Sequence, residues 1–294
     1  MFENDEIDWA GAPLTHLPYD ALPELKLKDT VYEVPVAGIY WFKFNTQAEP
    51  FSNKKIRQAF SLAINRKTLI KHIIQTEQIP ATGVVPSILK QEKSSFFKDA
   101  DTPKAKLLFN EGLKELGLKK KDLPPLYLSY NTGNDHQRLA EAIQEQWHHT
   151  FGVLVQLRNT EWKVHLDNVA QKNFQIGRLS WIGDFLDPLA FLDQFKYKNS
   201  DTHGGNNDTG WEDPKFIELL DKASASSNPK ERSELLEKAE KLFIDEMPVI
   251  PLYYITLSYI KKNYVKDAFI SPLGKLELRY AYIQKDSLEK EGHP

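Results

Sequence analysis

The sequence predicts an α/β or α+β fold in which short strands alternate with amphipathic helices. Three observations carry that expectation. Between residues 102 and 157 the apolar pattern switches twice from helical spacing to strict alternation. Four segments open on a capping residue followed by proline, at Thr102-Pro103, Asp187-Pro188, Asp213-Pro214 and Asn228-Pro229. A β-rich run, VIPLYYITLSYI, closes the series at 249–260 with its proline near the start, where a strand tolerates one.

The elements follow in order. In AEPFSNKKIRQAFSLAINRKTLI, 48–70, Ile56, Phe60 and Ala63 share one helical face and Asn65 can cap a second helix, so a helical hairpin is expected. At each of the four proline starts a side-chain oxygen can accept an orphan amide hydrogen. The proline loses nothing there, because its missing N–H had no partner in a first turn. After Thr102 the residues Ala105, Leu108, Phe109, Leu113 and Leu116 keep helical spacing, and Gly117 supplies a stop. LYLSY, 126–130, alternates as a strand. A helix through Leu139, Ala142, Ile143 and Trp147 ends near Gly152, and VLVQL, 153–157, alternates again. Two more helices follow Asp213 and Asn228. The most polar stretch, KNSDTHGGNNDTG at 198–210, reads as a surface connection.

Composition narrows the function classes. The chain has 294 residues, 41% of them hydrophobic, enough for a large core or two lobes. Lys and Arg total 38 against 41 Asp and Glu, a net charge of −3, which gives no basic field for phosphate backbones and argues against nucleic acid as a partner. Cysteine is absent, which removes thiolate nucleophiles, cysteine-based metal sites and disulfides. The acidic start MFENDEIDWAG lacks the basic and apolar regions of a secretory signal, and no run approaches the ~18 apolar residues of a membrane span. A soluble chain without an export address is expected.

Arg57, Ala59, Ala63, Asn65 and Arg66 spell R-x-A-x-x-x-A-x-[ND]-R. With EIDWAG (6–11), YNTGNDHQRLAEAIQEQW (130–147), FGVLVQLRNTEW (151–162), LSWIGDFLDP (179–188), NNDTGWEDPKF (206–216) and IPLYYI (250–255) in the same order, the chain resembles the extracytoplasmic solute-binding proteins of peptide ABC transporters, the oligopeptide- and dipeptide-binding family. The resemblance implies a periplasmic-binding-protein-like type II lobe, a mixed sheet flanked by helices, with a remnant of the first lobe. It places that remnant at 1–37, the second, ligand-binding lobe at 38–256, and a segment returning to the first lobe at 257–294. Family members are considerably longer, so the chain is expected to be a C-terminal fragment or a truncated form.

The resemblance also assigns candidate ligand contacts. Asp184 stands where peptide binders place an aspartate against the ligand's free α-amino group, and its setting among Leu179, Trp181, Ile182, Phe185 and Leu186 predicts a partly desolvated carboxylate waiting for a cation. Without the resemblance a turn or cap role would be the better reading. Trp181 and Trp162 match aromatic positions of the cleft, with core packing as the rival. Arg178 either reaches a peptide carboxylate or faces solvent. Asn206 lies in a loop that approaches ligand in relatives. His136 matches a histidine near the peptide's far end, against an exposed helix-start residue. Of Tyr253 and Tyr254, adjacent in a strand, at most one faces the cleft, and Tyr253 is the candidate. Val169 and Ala170 replace an arginine and a histidine of some relatives, which puts recognition of the peptide's carboxyl end in question.

Trp211 is expected to pack beside the Asp213 helix. His148 and His149 are neighbours at a helix end and cannot share a metal on one face, so no metal and no cofactor is expected. Asp184 and Asp187 could be read as a hydrolase pair, but Asp187 already has a capping position, and no G-x-S-x-G, H-E-x-x-H, phosphate loop or dinucleotide fingerprint is present. The expected partners are an oligopeptide ligand and ABC permease subunits, the chain itself being a monomer and the full-length protein periplasmic or extracytoplasmic, peripheral to the membrane. A ligand-sensing or inert remnant lobe is the alternative.

Overall fold

The computed structural model describes residues 1–18, 21–28, 31–90, 95–199 and 205–284, the side chain of Asn134 excepted. In chain order the elements are β1 (Trp9–Gly11), α1 (Leu22–Lys28), β2 (Tyr32–Phe44), α2 (Lys54–Leu62), α3 (Arg66–Leu69) and β3 (Ile79–Pro80). These are followed by α4 (Thr102–Glu115), β4 (Leu126–Asn131), α5 (Asn134–Phe151), β5 (Val155–Thr160), α6 (Trp162–Ala170), β6 (Ile176–Ile182) and α7 (Leu189–Leu192). Then come α8 (Pro214–Ala225), α9 (Pro229–Glu246), β7 (Val249–Lys261), β8 (Val265–Lys266), β9 (Phe269–Ile270), β10 (Leu276–Glu277) and β11 (Tyr282–Ile283).

A seven-stranded mixed sheet runs β1-β7-β2-β6-β4-β5, with β3 on β7. Strand β4 is parallel to β5 and β6, whereas β2 pairs antiparallel with both β6 and β7. Strand β2 has a continuously apolar stretch from Val36 to Phe42, which shows neither helical spacing nor alternation, because both of its faces are buried.

Helix starts obey capping chemistry, with one correction. Asp213 accepts from the amides of Lys215 and Phe216, and Asn228 from those of Lys230 and Glu231. At α4 the cap is Asp101, whose side chain accepts from Lys104, and Thr102 already belongs to the helix. Asp187 accepts from the amide of Leu189 but opens only a four-residue helix. Asp101→Ala is therefore expected to cost about 1 kcal/mol and Thr102→Ala less than about 0.5 kcal/mol, read as midpoints in urea unfolding. Equal losses would return the cap to Thr102.

The stretch 198–210 is not simply a surface connection. Residues 200–204 lie outside the described part, but Asn207 and Thr209 are fully buried. Asn207 donates to the carbonyls of Phe195 and Trp211 and accepts from Thr209, while Asp208 pairs with the buried Lys43 at 3.1 Å. Polar residues fold inward here because each finds a partner. The second alternating strand also starts two residues later than the pattern suggests, at Val155, with Val153 packed in the core before it.

The resemblance signature is structural. Arg57 is buried and donates to the carbonyls of Phe51, Ser52, Glu246 and Met247; burial brings its guanidinium down to about 10. Arg66, also buried, donates to Ser61, Pro251 and Asp99. Together they bolt the α2–α3 hairpin onto the start of β7. Trp211 packs edge-on against Phe216 of α8 and Phe243 of α9.

One main core runs from Ala37 to Tyr254. Two small clusters lie beyond it: Ala12, Val36, Tyr259 and Ile270, and Leu17, Leu22 and Ile260. The ends of the chain thus pack on each other and on the far ends of β2 and β7.

Candidate ligand-binding cleft

Because β4, β5 and β6 are parallel, their carboxyl ends lie at one edge of the sheet, where α5 and α6 begin. Crevices outside such strand ends are where α/β sheets bind ligand. On one face of the sheet the regular β2–β6 register aligns Tyr40 with Ser180 and Phe42 with Arg178, and β7 brings Tyr253 beside Tyr40. Alternation then fixes which side chains share this face.

Arg178 is only 8% exposed. Its Nη1 donates to Asn131 Oδ1 at 2.9 Å, and the guanidinium lies 4.5 Å above the Tyr40 ring, which stacks on Tyr253 at 4.9 Å. Its Nε is buried without a hydrogen-bond partner, and among the described residues no carboxylate forms an ion pair with it. The Tyr40 hydroxyl lies 3.1 Å from His136 Nδ1. The backbone carbonyl of Arg178 meets the Nε2 of the buried His165 at 2.7 Å, so that nitrogen carries the donor proton and Nδ1 keeps a buried lone pair without a partner.

Electrostatics single out the arginine. Burial, with Arg178 second, pushes His136 down to about 3, and burial likewise lowers His165. The Tyr40 hydroxyl is pushed up by burial, with Asp135 reinforcing and Arg178 opposing. Arg178 is therefore a cation among neutral hydrogen-bonding groups, at the wall of a cavity of about 230 Å³ that Ser180, Tyr253, His16 and Leu17 also line. A buried cation without a counter-charge is costly until an anion arrives. A larger hollow of about 460 Å³ lies between α9 and residues 85–90, but Glu240 at its base is met by Lys90 and the amides of Val84 and Val85, so it presents no comparable unmet charge.

The sequence profile of the bacterial extracellular solute-binding proteins, family 5 (middle), matches residues 1–203. The chain belongs to this family. It is similar to the oligopeptide-binding protein OppA of Bacillus subtilis (strain 168), 44% identical over 287 residues, which cover 96% of this chain and 52% of that protein. It is also similar to the dipeptide-binding protein DppE of the same organism, 33% identical over 96% of this chain and 51% of that one. Among solved structures, a periplasmic oligopeptide-binding protein from Borrelia burgdorferi superimposes with a TM-score of 0.78 at 30% identity, covering 90% of this chain and 51% of that one. The Escherichia coli murein tripeptide binding protein MppA does so with a TM-score of 0.81 at 28% identity, covering 96% and 55%. The chain thus spans about half the length of the relatives it matches, and its fold is the type II periplasmic-binding lobe expected from the sequence.

Within this family member the candidate residues separate into groups. Arg178 and Tyr253 line the cavity, and His136 is tied to Tyr40, another lining residue, rather than exposed at a helix start. Tyr254, one residue on, points the other way and donates to the carbonyl of Gly83. Trp162 opens α6 with 42% exposure, its ring stacked at 6.3 Å on His165. Trp181 lies on the opposite face of β6 from Arg178 and donates to the carbonyl of Ala190. Asn206 is exposed, and its carbonyl accepts from Lys43, which also belongs to that opposite face.

Asp184 corrects an expectation. It is exposed, as are Ile182, Phe185 and Leu186, at 39%, 50% and 52%. The apolar stretch does not desolvate its own carboxylate, because β6 ends at Ile182 and the chain beyond runs out over the surface. Val169 is buried, in keeping with a packing role. The residue the sequence reading missed is Tyr40. It sits in AGIYWFKF, where the only signal was a hydroxyl inside an otherwise apolar run.

Proposed function

We propose that this chain is the half of the peptide-binding component of an ABC importer that carries the second lobe, working outside the cytoplasm. It would hold an extended oligopeptide against the carboxyl edge of β4, β5 and β6 for delivery to membrane permease subunits. The observation that carries this is Arg178, a buried cation without an acidic partner among the described residues, facing a cavity on the sheet face shared by β2, β6 and β7. Residues 1–37 and 257–294 are assigned to the first lobe and 38–256 to the second. The main core, confined between Ala37 and Tyr254, supports that division.

In this reading the ligand's carboxyl end approaches Arg178 and His136, and its amino end approaches Asp184. Along β6 the four steps from Arg178 to Ile182 span ~13 Å, and Asp184 lies two residues further, room for a short extended peptide. The exposed Ile182, Phe185 and Leu186 supply an apolar rim that a second lobe would cover on closure, and only then would Asp184 be desolvated. Trp162 offers a flat contact for peptide atoms. Asp187, engaged by Arg232 at 2.8 Å and by the amide of Leu189, is unavailable as the second carboxylate of a hydrolase, which supports binding without catalysis.

The test uses a chimera joining this chain to the remaining half of the B. subtilis oligopeptide-binding relative. Asp184→Ala should weaken peptides with a free amino end about 10- to 100-fold, the worth of a charge-assisted hydrogen bond, and leave N-acetylated peptides unchanged. Equal losses for both would remove the role assigned to Asp184.

A further inference from the structure

The cavity beside Arg178 is closed partly by a segment to which the family resemblance assigns no ligand contact. Residues Ala12–Leu17 belong to the amino-terminal end of the chain, yet Ala12, His16 and Leu17 line the cavity with Tyr40, Arg178 and Ser180. The segment is held from several sides. The amide of Ala12 donates to the carbonyl of Ser258 at 3.0 Å, Trp9 Nε1 donates to the carbonyl of Ala12 at 2.9 Å, and the amide of Thr15 donates to the carbonyl of Gly11 at 3.0 Å. Gly11 has φ of +100°, and a Cβ there would come within 2.7 Å of the Ser258 carbonyl oxygen, so the turn feeding the wall requires glycine. Leu17 is buried with Leu22 and Ile260. Wall and sheet are one unit.

Resting on the peptide-binding reading above, we propose that Ala12–Leu17 is the end wall of the carboxylate pocket and that His16 is a ligand-contacting, specificity-determining residue that selects a terminal carboxylate over a chain passing through. Three features support it. The cavity, at about 230 Å³, is smaller than the ~300–1,000 Å³ of drug-sized ligand sites, so it takes the end of a peptide and not its length. His16 is exposed and lines the same cavity as Arg178, and an imidazole in either neutral tautomer keeps one N–H to donate to a carboxylate oxygen. Tyr40, which lines the cavity with His16 and Arg178, lies 3.1 Å from His136 through its hydroxyl, so His136 reaches the cavity wall through that ring. Asp135 acts on the Tyr40 hydroxyl. An arginine fork with a second donor facing it discriminates a carboxylate from an amide, because the amide brings its own N–H groups against donors.

The wall and the arginine belong to the same 294 residues, so the pocket is testable in this chain alone. The 294-residue protein is titrated with N-acetyl-alanyl-alanine and with its C-terminal amide, followed by NMR of the arginine Nε and histidine ring signals. The acid should bind in the millimolar range and perturb Arg178, His136 and His16, with the amide at least ~10-fold weaker. His16→Ala should weaken the acid ~3- to 10-fold and reduce its advantage over the amide, His16→Gln should retain most of both, and the exposed position should leave the thermal midpoint unchanged. Equal binding of acid and amide, no binding of the acid, or a His16→Ala protein that matches the parent would each overturn the proposal. The Asp184 comparison reads the peptide's amino end in a two-lobed protein, so either result can fail while the other stands.

Discussion

Arg66→Ala is expected to remove about 3–5 kcal/mol of stability, the usual consequence of taking one partner from a buried ion pair. Arg66 is fully buried, 2.9 Å from Asp99, with further bonds to the carbonyls of Ser61 and Pro251 and the hydroxyl of Ser61, and with its guanidinium 4.8 Å from the Phe97 ring. Burial lowers its affinity for the proton, and Asp99 only partly restores it. Truncation would leave the Asp99 carboxylate, itself mostly buried, without its counter-charge, and would free carbonyls of the α2–α3 hairpin and of β7 inside the core. Denaturant unfolding reads the loss as a fall in midpoint. Should the alanine variant fail to fold, Arg66→Lys offers a second reading, because it keeps the charge and loses the fork, and it should cost less. A loss below about 1 kcal/mol for alanine would show that the hairpin is held by apolar packing alone.

Stability should also fall as pH drops below 6.5. The folded protein holds His136 at about 3 whereas an unfolded histidine titrates near 6.5, so between those values the unfolded chain binds a proton that the folded chain refuses. The contribution is fully present above pH 6.5 and is lost as pH falls toward 3, at up to about 1.4 kcal/mol per pH unit from this group. His165 shifts in the same direction and adds to the slope. The cause is burial first and the neighbouring Arg178 second. His136→Gln, which cannot take up a proton, should flatten urea midpoints between pH 6.5 and 5, above the range where carboxylates titrate. An unchanged slope would mean that His136 is protonated in the folded protein beside Arg178.

The relation between Arg178 and Asp184 shows how a ligand-binding face was legible in part. Asp184 lies in a stretch that carries the family resemblance and was assigned to ligand from it, while Arg178 immediately precedes that stretch. The sequence left Arg178 undecided between ligand and solvent, because alternation along β6 says which residues share a face and not what covers that face. Only the β2–β6 register and the arrival of Asn131 and Tyr40 decided that it is buried, and only the segment around His16 gave its cavity an end. Asp184 went the other way. Its apolar neighbours suggested desolvation, yet they are exposed together, and a local run of hydrophobic letters cannot say whether its partner surface belongs to the same lobe. Trp181 and Asn206 illustrate a further point, since both were expected from the resemblance to approach ligand, yet both belong to the sheet face opposite the Arg178 cavity.

By itself the sequence determined what depends on neighbours along the chain: caps at Asp213 and Asn228, the stops at Gly117 and Gly152, the alternation of β4, the length of β7 and the family signature. Period and capping are local physics, written within a few residues. The tertiary structure alone decided the buried polar stretch from Asn207 to Thr209, the interior position of the β2 apolar run, and the meeting of His16, Tyr40, His136 and Arg178, which lie up to 162 positions apart in sequence. Those depend on register and burial, and a polar group's cost or use is set by partners that arrive from distant segments.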